Sequence, residues 1–246
     1  MTPLRRTTLL IALPLLLGLA ACGSTRKEDQ LLDQLANLDK ETIFERAEGL
    51  FGEKKYQEAR ELFSFVYDTF PNDPLGHKAA LRIADTFAVK RDVTNLTEAR
   101  LRYRDFANRY PNDPDRDYAL LMVGNTFSAR KLRPDRDLSD IEEALGAYQQ
   151  LVTLYPGSRY VSQAQSEIDD LVELLAEHEW LVAQFYIRNK RELGALWRLE
   201  YIRDNYPTYS KIDLVNEKIS ELETLIADRK AAWEKRLKEL EKASDD

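Results

Sequence analysis

Four times along this chain an alanine is followed twelve residues later by a proline that sits directly behind an aromatic ring. The units run from Ala59 to Phe70-Pro71, Ala99 to Tyr110-Pro111, Ala144 to Tyr155-Pro156, and Ala195 to Tyr206-Pro207. The fourth and seventh positions after each alanine are apolar too: Phe63 and Val66, Tyr103 and Phe106, Tyr148 and Leu151, Leu199 and Ile202. Offsets of four, seven and eleven fall on one stripe of an α-helix, and the proline lies where a further turn would need a free N–H. Helix-sized units that recur in this way stack to bury their stripes. The spacing therefore predicts an all-α helical array, with function on a surface before a pocket.

Each closing helix has an earlier partner: Glu41 to Glu53 for the first, about Leu75 to Val89 for the second, Asp115 to Phe127 for the third. Two turns are nearly identical, Phe70-Pro71-Asn72-Asp73-Pro74 and Tyr110-Pro111-Asn112-Asp113-Pro114, and each combines a helix stop with a proline that starts the next helix. A small residue, an aromatic four positions on and a closing proline resemble tetratricopeptide repeats; an unrelated helical bundle is the alternative. The prolines are 40, 45 and 51 residues apart, more than the roughly 34 of a minimal repeat. The extra length is expected in the turn Lys90 to Leu96, in the loop Ser128 to Ser139, and in a long helix. Val161, Ala164, Ile168, Leu171, Leu175, His178, Val182 and Phe185 recur at threes and fours, and no Gly or Pro interrupts the chain between Ser158 and Leu193. This stretch reads as one helix of about 40 Å. After Pro207 the unit does not recur. Ile212, Val215, Ile219, Leu222, Ile226, Trp233, Leu237 and Leu240 follow a loose heptad, expected to form a cap that becomes a protruding helix. The expected fold is a tetratricopeptide-like solenoid with a long inter-repeat helix and an extended C-terminal helix.

Arg5 and Arg6 precede an apolar run from Leu9 to Leu17, followed by Leu19-Ala20-Ala21-Cys22-Gly23. A charged start, a short apolar core and small residues at the end describe a secretory signal rather than a spanning helix. Cys22, the one cysteine of the sequence, stands at the cut site, where it has no partner for a disulfide. The segment resembles a bacterial lipoprotein signal, which implies acylation of Cys22 and a durable anchor; an ordinary signal with an incidental cysteine is the alternative. Gly23 after the cysteine, in place of an aspartate, points by the same resemblance to the outer membrane. The expected organisation is a signal peptide over 1–21, a lipidated tether over 22–40, a repeat body over 41–210, and a C-terminal helix and tail over 211–246. Leu31, Leu32, Leu35 and Leu38 give the tether helical spacing.

The net charge is −7, and removal of the leader with its two arginines takes it to −9. That balance, with basic residues dispersed among acids, argues against nucleic-acid binding. Catalytic chemistry is sparse. His77 and His178 are the two histidines, and His178-Glu179 lacks the second histidine of a zinc-protease helix. There is no glycine-rich phosphate loop and no G-x-S-x-G, so no catalytic, cofactor or metal residues are expected and the chain does not read as an enzyme.

Several stretches go beyond generic repeats: Asp117-Tyr118-Ala119 with Met122 and Gly124, Asp135-Arg136-Asp137, Tyr155-Pro156-Gly157-Ser158-Arg159-Tyr160, Leu175-Ala176-x-x-Glu179, Val182-Ala183-x-x-Tyr186, and Trp197-Arg198. Over residues 40 to 210 they resemble BamD-type lipoproteins, helical-repeat components of the machinery that assembles β-barrel proteins in the outer membrane. The resemblance implies a lipid-anchored, periplasm-facing scaffold whose first repeats receive unfolded barrel precursors. It implies that later repeats dock on a BamA-type barrel protein, with other assembly lipoproteins as companions. Arg198 matches a family arginine that pairs with an acidic partner group, and Arg198→Glu is expected to weaken docking with unfolding nearly unchanged; a solvated helix-face charge is the alternative. Asp135, Arg136 and Asp137 are expected either as contacts or as an internal loop lock. Phe44, Phe51 and Tyr56 serve as peptide contacts or as core packing. Asn189-Lys190-Arg191-Glu192 departs from the glycine-containing turn that the family implies, and the single helix after Pro207 departs from its fifth repeat. Another repeat lipoprotein of the envelope, a peptidoglycan-machinery coordinator or a secretin pilot, is the competing function.

Overall fold

The computed structural model describes residues 38–129, 133–135 and 137–244. The described residues form nine α-helices: α1 Lys40–Gly52, α2 Tyr56–Thr69, α3 Pro74–Ala88, α4 Val93–Arg109, α5 Arg116–Ser128, α6 Ser139–Leu154, α7 Val161–Arg188, α8 Glu192–Asn205 and α9 Ile212–Ser244. The fold is all-α, and consecutive helices pack as antiparallel-type hairpins of the tetratricopeptide kind: α1 with α2, α4 with α5, α5 with α6, and so on to α8 with α9. The chain divides into two compact units at Ala79–Ala80, within α3.

The repeat stripe points inward in every unit. Ala59, Ala99, Ala144 and Ala195 are fully buried, as are the apolar residues four and seven positions on. Full burial of one such Leu, Ile or Phe side chain contributes about 1.5–3 kcal/mol. Each closing aromatic is a C-cap: Phe70, Tyr110, Tyr155 and Tyr206 have φ between −130° and −120°, and their N–H donates to the carbonyl four residues back. The proline that follows excludes the helical region for these residues, so the helix ends there. Three residues after each aromatic, the N–H of Asp73, Asp113, Ser158 or Tyr209 closes the turn on the aromatic's carbonyl. Asp73, Asp113 and Ser158 then accept from the backbone N–H two positions on, at 2.9, 2.8 and 3.1 Å. The first turn is tight enough to require Gly76, where a Cβ would lie 2.0 Å from the Phe70 carbonyl oxygen.

The first unit is held by α1 and α2. Asp39 caps α1, accepting from Thr42 N–H at 2.7 Å, and the Lys40 ammonium pairs with Asp73. In the second unit, one core runs from Leu81 to Leu175 and another from Ala176 to Leu222. The long helix α7 contributes Ala164, Ile168, Leu171 and Leu175 to the first and Ala176, Trp180 and Ala183 to the second, so a single rod of about 42 Å is shared by both. Buried Asp85 is satisfied from three sides: Tyr103 and Tyr118 hydroxyls donate at 2.5 and 2.8 Å, and Arg82 pairs at 2.8 Å. Two of the stretches that carry the family resemblance, Asp117-Tyr118-Ala119 and Tyr155 to Tyr160, meet in space. Asp117 accepts from the Ser158 hydroxyl at 2.5 Å, and the rings of Tyr118 and Tyr160 lie 5.8 Å apart.

One expectation about the connections needs correction. The extra length after α3 does not form a turn from Lys90 to Leu96: α4 begins at Val93, because Asp92 caps it by accepting from Asn95 N–H at 3.0 Å. The long helix runs over 28 residues to Arg188, in keeping with the expected length of about 40 Å. Its stop needs no Gly or Pro, since Lys190 adopts the left-handed conformation (φ 54°), Arg191 N–H donates to the Tyr186 carbonyl and Lys190 N–H to that of Ile187. The same cap recurs after α1, where Lys54 has φ 64° and Lys55 N–H donates to Leu50. The lysine at 190 thus adopts the backbone conformation for which glycine is the usual residue.

Candidate docking surface

Helix α8 has two apolar faces. Ala195, Leu199 and Ile202 point into the second core of its unit and are fully buried. Leu193, Trp197 and Tyr201, four residues apart, form a second stripe on the outside, 72%, 56% and 37% exposed. An amphipathic helix needs only one such stripe to fold. The outer one is ordered: the Trp197 and Tyr201 rings stack with centroids 5.9 Å apart, and Tyr201 meets Tyr206 edge-on. Burial, followed by a hydrogen bond with Tyr201, pushes the Tyr206 phenol up to about 12, so it stays neutral. On the preceding helix, Leu181 and Phe185 are also exposed. A stripe of exposed apolar side chains that includes Trp197 and Tyr201 beside Arg198 has the composition of a protein-binding surface.

Arg198 stands at the edge of the stripe. Its Nη1 donates to Glu179 Oε2 at 2.7 Å, and its guanidinium lies over the Trp197 ring, 4.7 Å from the centroid. Glu179 is nearly buried, with 12% of its side chain exposed, while Arg198 keeps 29%. The carboxylate that this arginine meets within the chain is therefore the glutamate of the Leu175-Ala176-x-x-Glu179 stretch. The pair fixes the guanidinium plane, whose five N–H donors exceed what one Glu179 oxygen takes up.

Asp135 and Asp137 organise the loop between α5 and α6. Arg133 donates to both Asp135 carboxylate oxygens at 2.9 and 2.8 Å, and Asp137 accepts from the N–H and hydroxyl of Ser139, the first residue of α6, at 3.0 and 2.6 Å. His178 Nδ1–H donates to the Pro134 carbonyl at 2.6 Å, which ties this loop to α7. Arg136 and Cys22 lie outside the described residues. Phe44 and Phe51 are half-buried in the first unit: Phe44 packs edge-on against buried Phe63 at 5.3 Å, and Phe51 against Tyr56 at 5.2 Å.

Sequence reasoning missed the carboxylates that anchor the last turn. Glu173 and Glu177, one helical turn apart on α7, receive the Ser210 N–H at 3.0 Å and the Lys211 ammonium at 2.6 Å respectively; Tyr209 also donates to Glu177. Nothing marked them in a helix that has acids on much of its polar surface. Among the described residues, no group of three or more His, Cys, Asp or Glu could hold a metal ion, and no helix is long and apolar enough to cross a membrane.

Over 212 residues the chain is 24% identical to the outer membrane protein assembly factor BamD of Rickettsia prowazekii, an alignment that covers 83% of this chain and 79% of that protein. It is 32% identical over 75 residues to the protein of the same name from Vibrio cholerae, covering 30% of this chain and 31% of that one. With the Caulobacter vibrioides protein it shares 30% identity over 76 residues, 31% of this chain and 25% of that protein. Residues 36–235 match the family model described as YfiO, outer membrane lipoprotein. With that match spanning the repeat helices and most of α9, the chain belongs to the YfiO family of outer membrane lipoproteins.

Proposed function

We propose that this protein is a non-enzymatic scaffold of outer-membrane β-barrel assembly, anchored by lipid at Cys22 and facing the periplasm. The observation that carries the proposal is the outer stripe of α8, Leu193, Trp197 and Tyr201, with Arg198 fixed at its edge by Glu179. A barrel protein of the BamA type docks here: its acidic group takes the guanidinium edge left by Glu179, and its apolar surface covers the Trp197–Tyr201 pair. The names of the relatives, outer membrane protein assembly factors, support this partner class. Phe44, Phe51 and Tyr56 of the first unit receive unfolded barrel precursors, and Asp135, Arg136 and Asp137 contribute a further partner contact. In this reading residues 1–21 are removed, 22–40 tether, 41–210 form the repeat body and 211–246 the C-terminal helix and tail. Sites for precursor and barrel partner on one tethered body raise the effective concentration of each for the other without new contacts.

Affinity purification of the tagged, lipidated protein from its own membranes tests the reading. A large barrel protein with periplasmic repeats is the expected partner, lost on Trp197→Ala. Secretin subunits or peptidoglycan synthases recovered without such a barrel would overturn it. The anchor is tested by Cys22→Ala, which is expected to release the protein from membranes; retention would assign that role to protein contacts.

A further inference from the structure

The face that seats α9 on its unit does not end where the unit ends. Val215, Ile219 and Leu222 are buried, Ile226 is half-buried, and from Ala227 to Leu240 every residue is exposed. Ile219, Ile226, Trp233 and Leu240 follow at sevens, with Leu237 beside them, so the buried stripe continues onto the protruding half as Trp233, Leu237 and Leu240, which are 61%, 40% and 59% exposed. Arg229, whose Nη1 pairs with Glu192 at 2.7 Å, ties α9 to the start of α8 at this point.

The charge reverses along the same stretch. In a chain of net charge −7, residues 229–238 hold Arg229, Lys230, Lys235, Arg236 and Lys238 against Glu234 alone. At 3.6 residues per turn, Arg236 falls about 60° to one side of Trp233 and Lys230 about 60° to the other, while Glu234 and Glu239 lie about 100° or more away. Cations flank Trp233 on both sides, closer in angle than either acid of the stretch 229–240. Long basic side chains in that position place their stems along an apolar layer and their charges at its polar rim.

A second copy is a poor occupant. Arg229 and Arg236 take the alternate seam positions of the heptad, so a parallel pair would set arginine against arginine and an antiparallel pair would set arginine against Trp233 or Leu240. We infer that the protruding half of α9 lies on an anionic phospholipid surface, with Trp233, Leu237 and Leu240 in the headgroup–acyl boundary and Lys230 and Arg236, at the edges of the stripe, among the phosphates. A stripe of Trp and Leu between basic flanks is the composition of an interfacial helix. The contact is independent of the docking surface on α8 and gives the protein a second hold on the membrane besides the acyl anchor.

The test uses the mature chain with Cys22→Ser, so that no acyl group contributes, mixed with phosphatidylethanolamine–phosphatidylglycerol vesicles and, separately, with phosphatidylcholine vesicles. Co-sedimentation is expected on the anionic vesicles, weakening with added salt and falling about tenfold or more on the neutral ones. Lys230→Glu with Arg236→Glu, and Trp233→Ser with Leu237→Ser, are each expected to give a similar loss while circular dichroism stays unchanged, since all four residues are exposed. Equal partition on both vesicle types, or unchanged partition of the charge-reversed variant, would overturn the inference. So would vesicle binding that is absent while Arg236→Glu removes a protein that co-purifies from membranes, which would assign this face to an acidic protein instead.

Discussion

Glu179 holds the guanidinium of Arg198 at 2.7 Å across the α7–α8 hairpin, with the glutamate nearly buried and the arginine over the Trp197 ring. This pair couples docking to stability, which a solvated helix-face arginine would not, so the expectation from sequence that Arg198→Glu leaves unfolding nearly unchanged is revised. Arg198→Glu sets two carboxylates together, one with little water, and is expected to cost roughly 1–3 kcal/mol in unfolding free energy. The exchange Arg198→Glu with Glu179→Arg restores opposite charges and is expected to recover most of that loss, while binding of the barrel partner stays weakened. Chemical denaturation and pull-down of the single and exchanged variants separate the two roles. Recovery of both together would make Arg198 purely structural.

Gly124 faces the Tyr148 ring, and a Cβ there would lie 2.4 Å from Cε1. Tyr148 cannot move aside cheaply, because its hydroxyl donates to Asn125 at 2.8 Å and lies 3.2 Å from the Ser128 hydroxyl. Gly124→Ala is expected to destabilise the protein by about 1–3 kcal/mol through overpacking. Thermal unfolding reads the loss, and pairing with Tyr148→Leu, which shortens the opposing side chain, is expected to make the two changes non-additive. Full additivity would show that the residues do not press on one another.

Burial, joined for the first two by the Asp85 carboxylate, raises the phenols of Tyr103, Tyr118 and Tyr148 above their ordinary value of 10.0. A raised folded-state value means that these groups stay neutral in the fold while the unfolded chain ionises near pH 10. Their contribution is therefore complete below pH 10 and is lost as the pH rises further. Stability is expected to decline above about pH 10, and absorbance at the tyrosinate band is expected to show these three phenols ionising only as the protein unfolds. Smooth titration of all 12 tyrosines without loss of helix signal would contradict this.

Lys190 stops α7 with φ at 54°, in a region where an L-residue is strained and glycine is not. Lys190→Gly is expected to raise stability by up to about 1 kcal/mol, with α7 and α8 unchanged. An equilibrium unfolding midpoint that falls would mean the lysine side chain does more at this turn than the backbone requires.

Much of the fold was legible in the alanine-to-proline unit because its causes are local. The stripe follows from helical periodicity, and the stop follows from the steric effect of proline on the residue before it, so Phe70, Tyr110, Tyr155 and Tyr206 cap their helices whatever surrounds them. The candidate docking surface was legible only in part. Trp197 and Arg198 were visible as a resemblance, but not the exposure of Leu193, Trp197 and Tyr201, since one helix can bury either of two apolar stripes and its neighbours choose.

By itself, then, the sequence determined the number and inward face of the repeat helices, where the proline-capped helices end, and the heptad that carries α9 forward. Only the tertiary structure decided which carboxylate Arg198 meets, which ring excludes a Cβ at Gly124, where α7 stops without Gly or Pro, and how far α9 runs before it has no neighbour. These depend on the rotation and offset of one helix against another. Contacts between residues a turn apart are set by the backbone they share, whereas contacts across helices are set by the packing of every side chain between them.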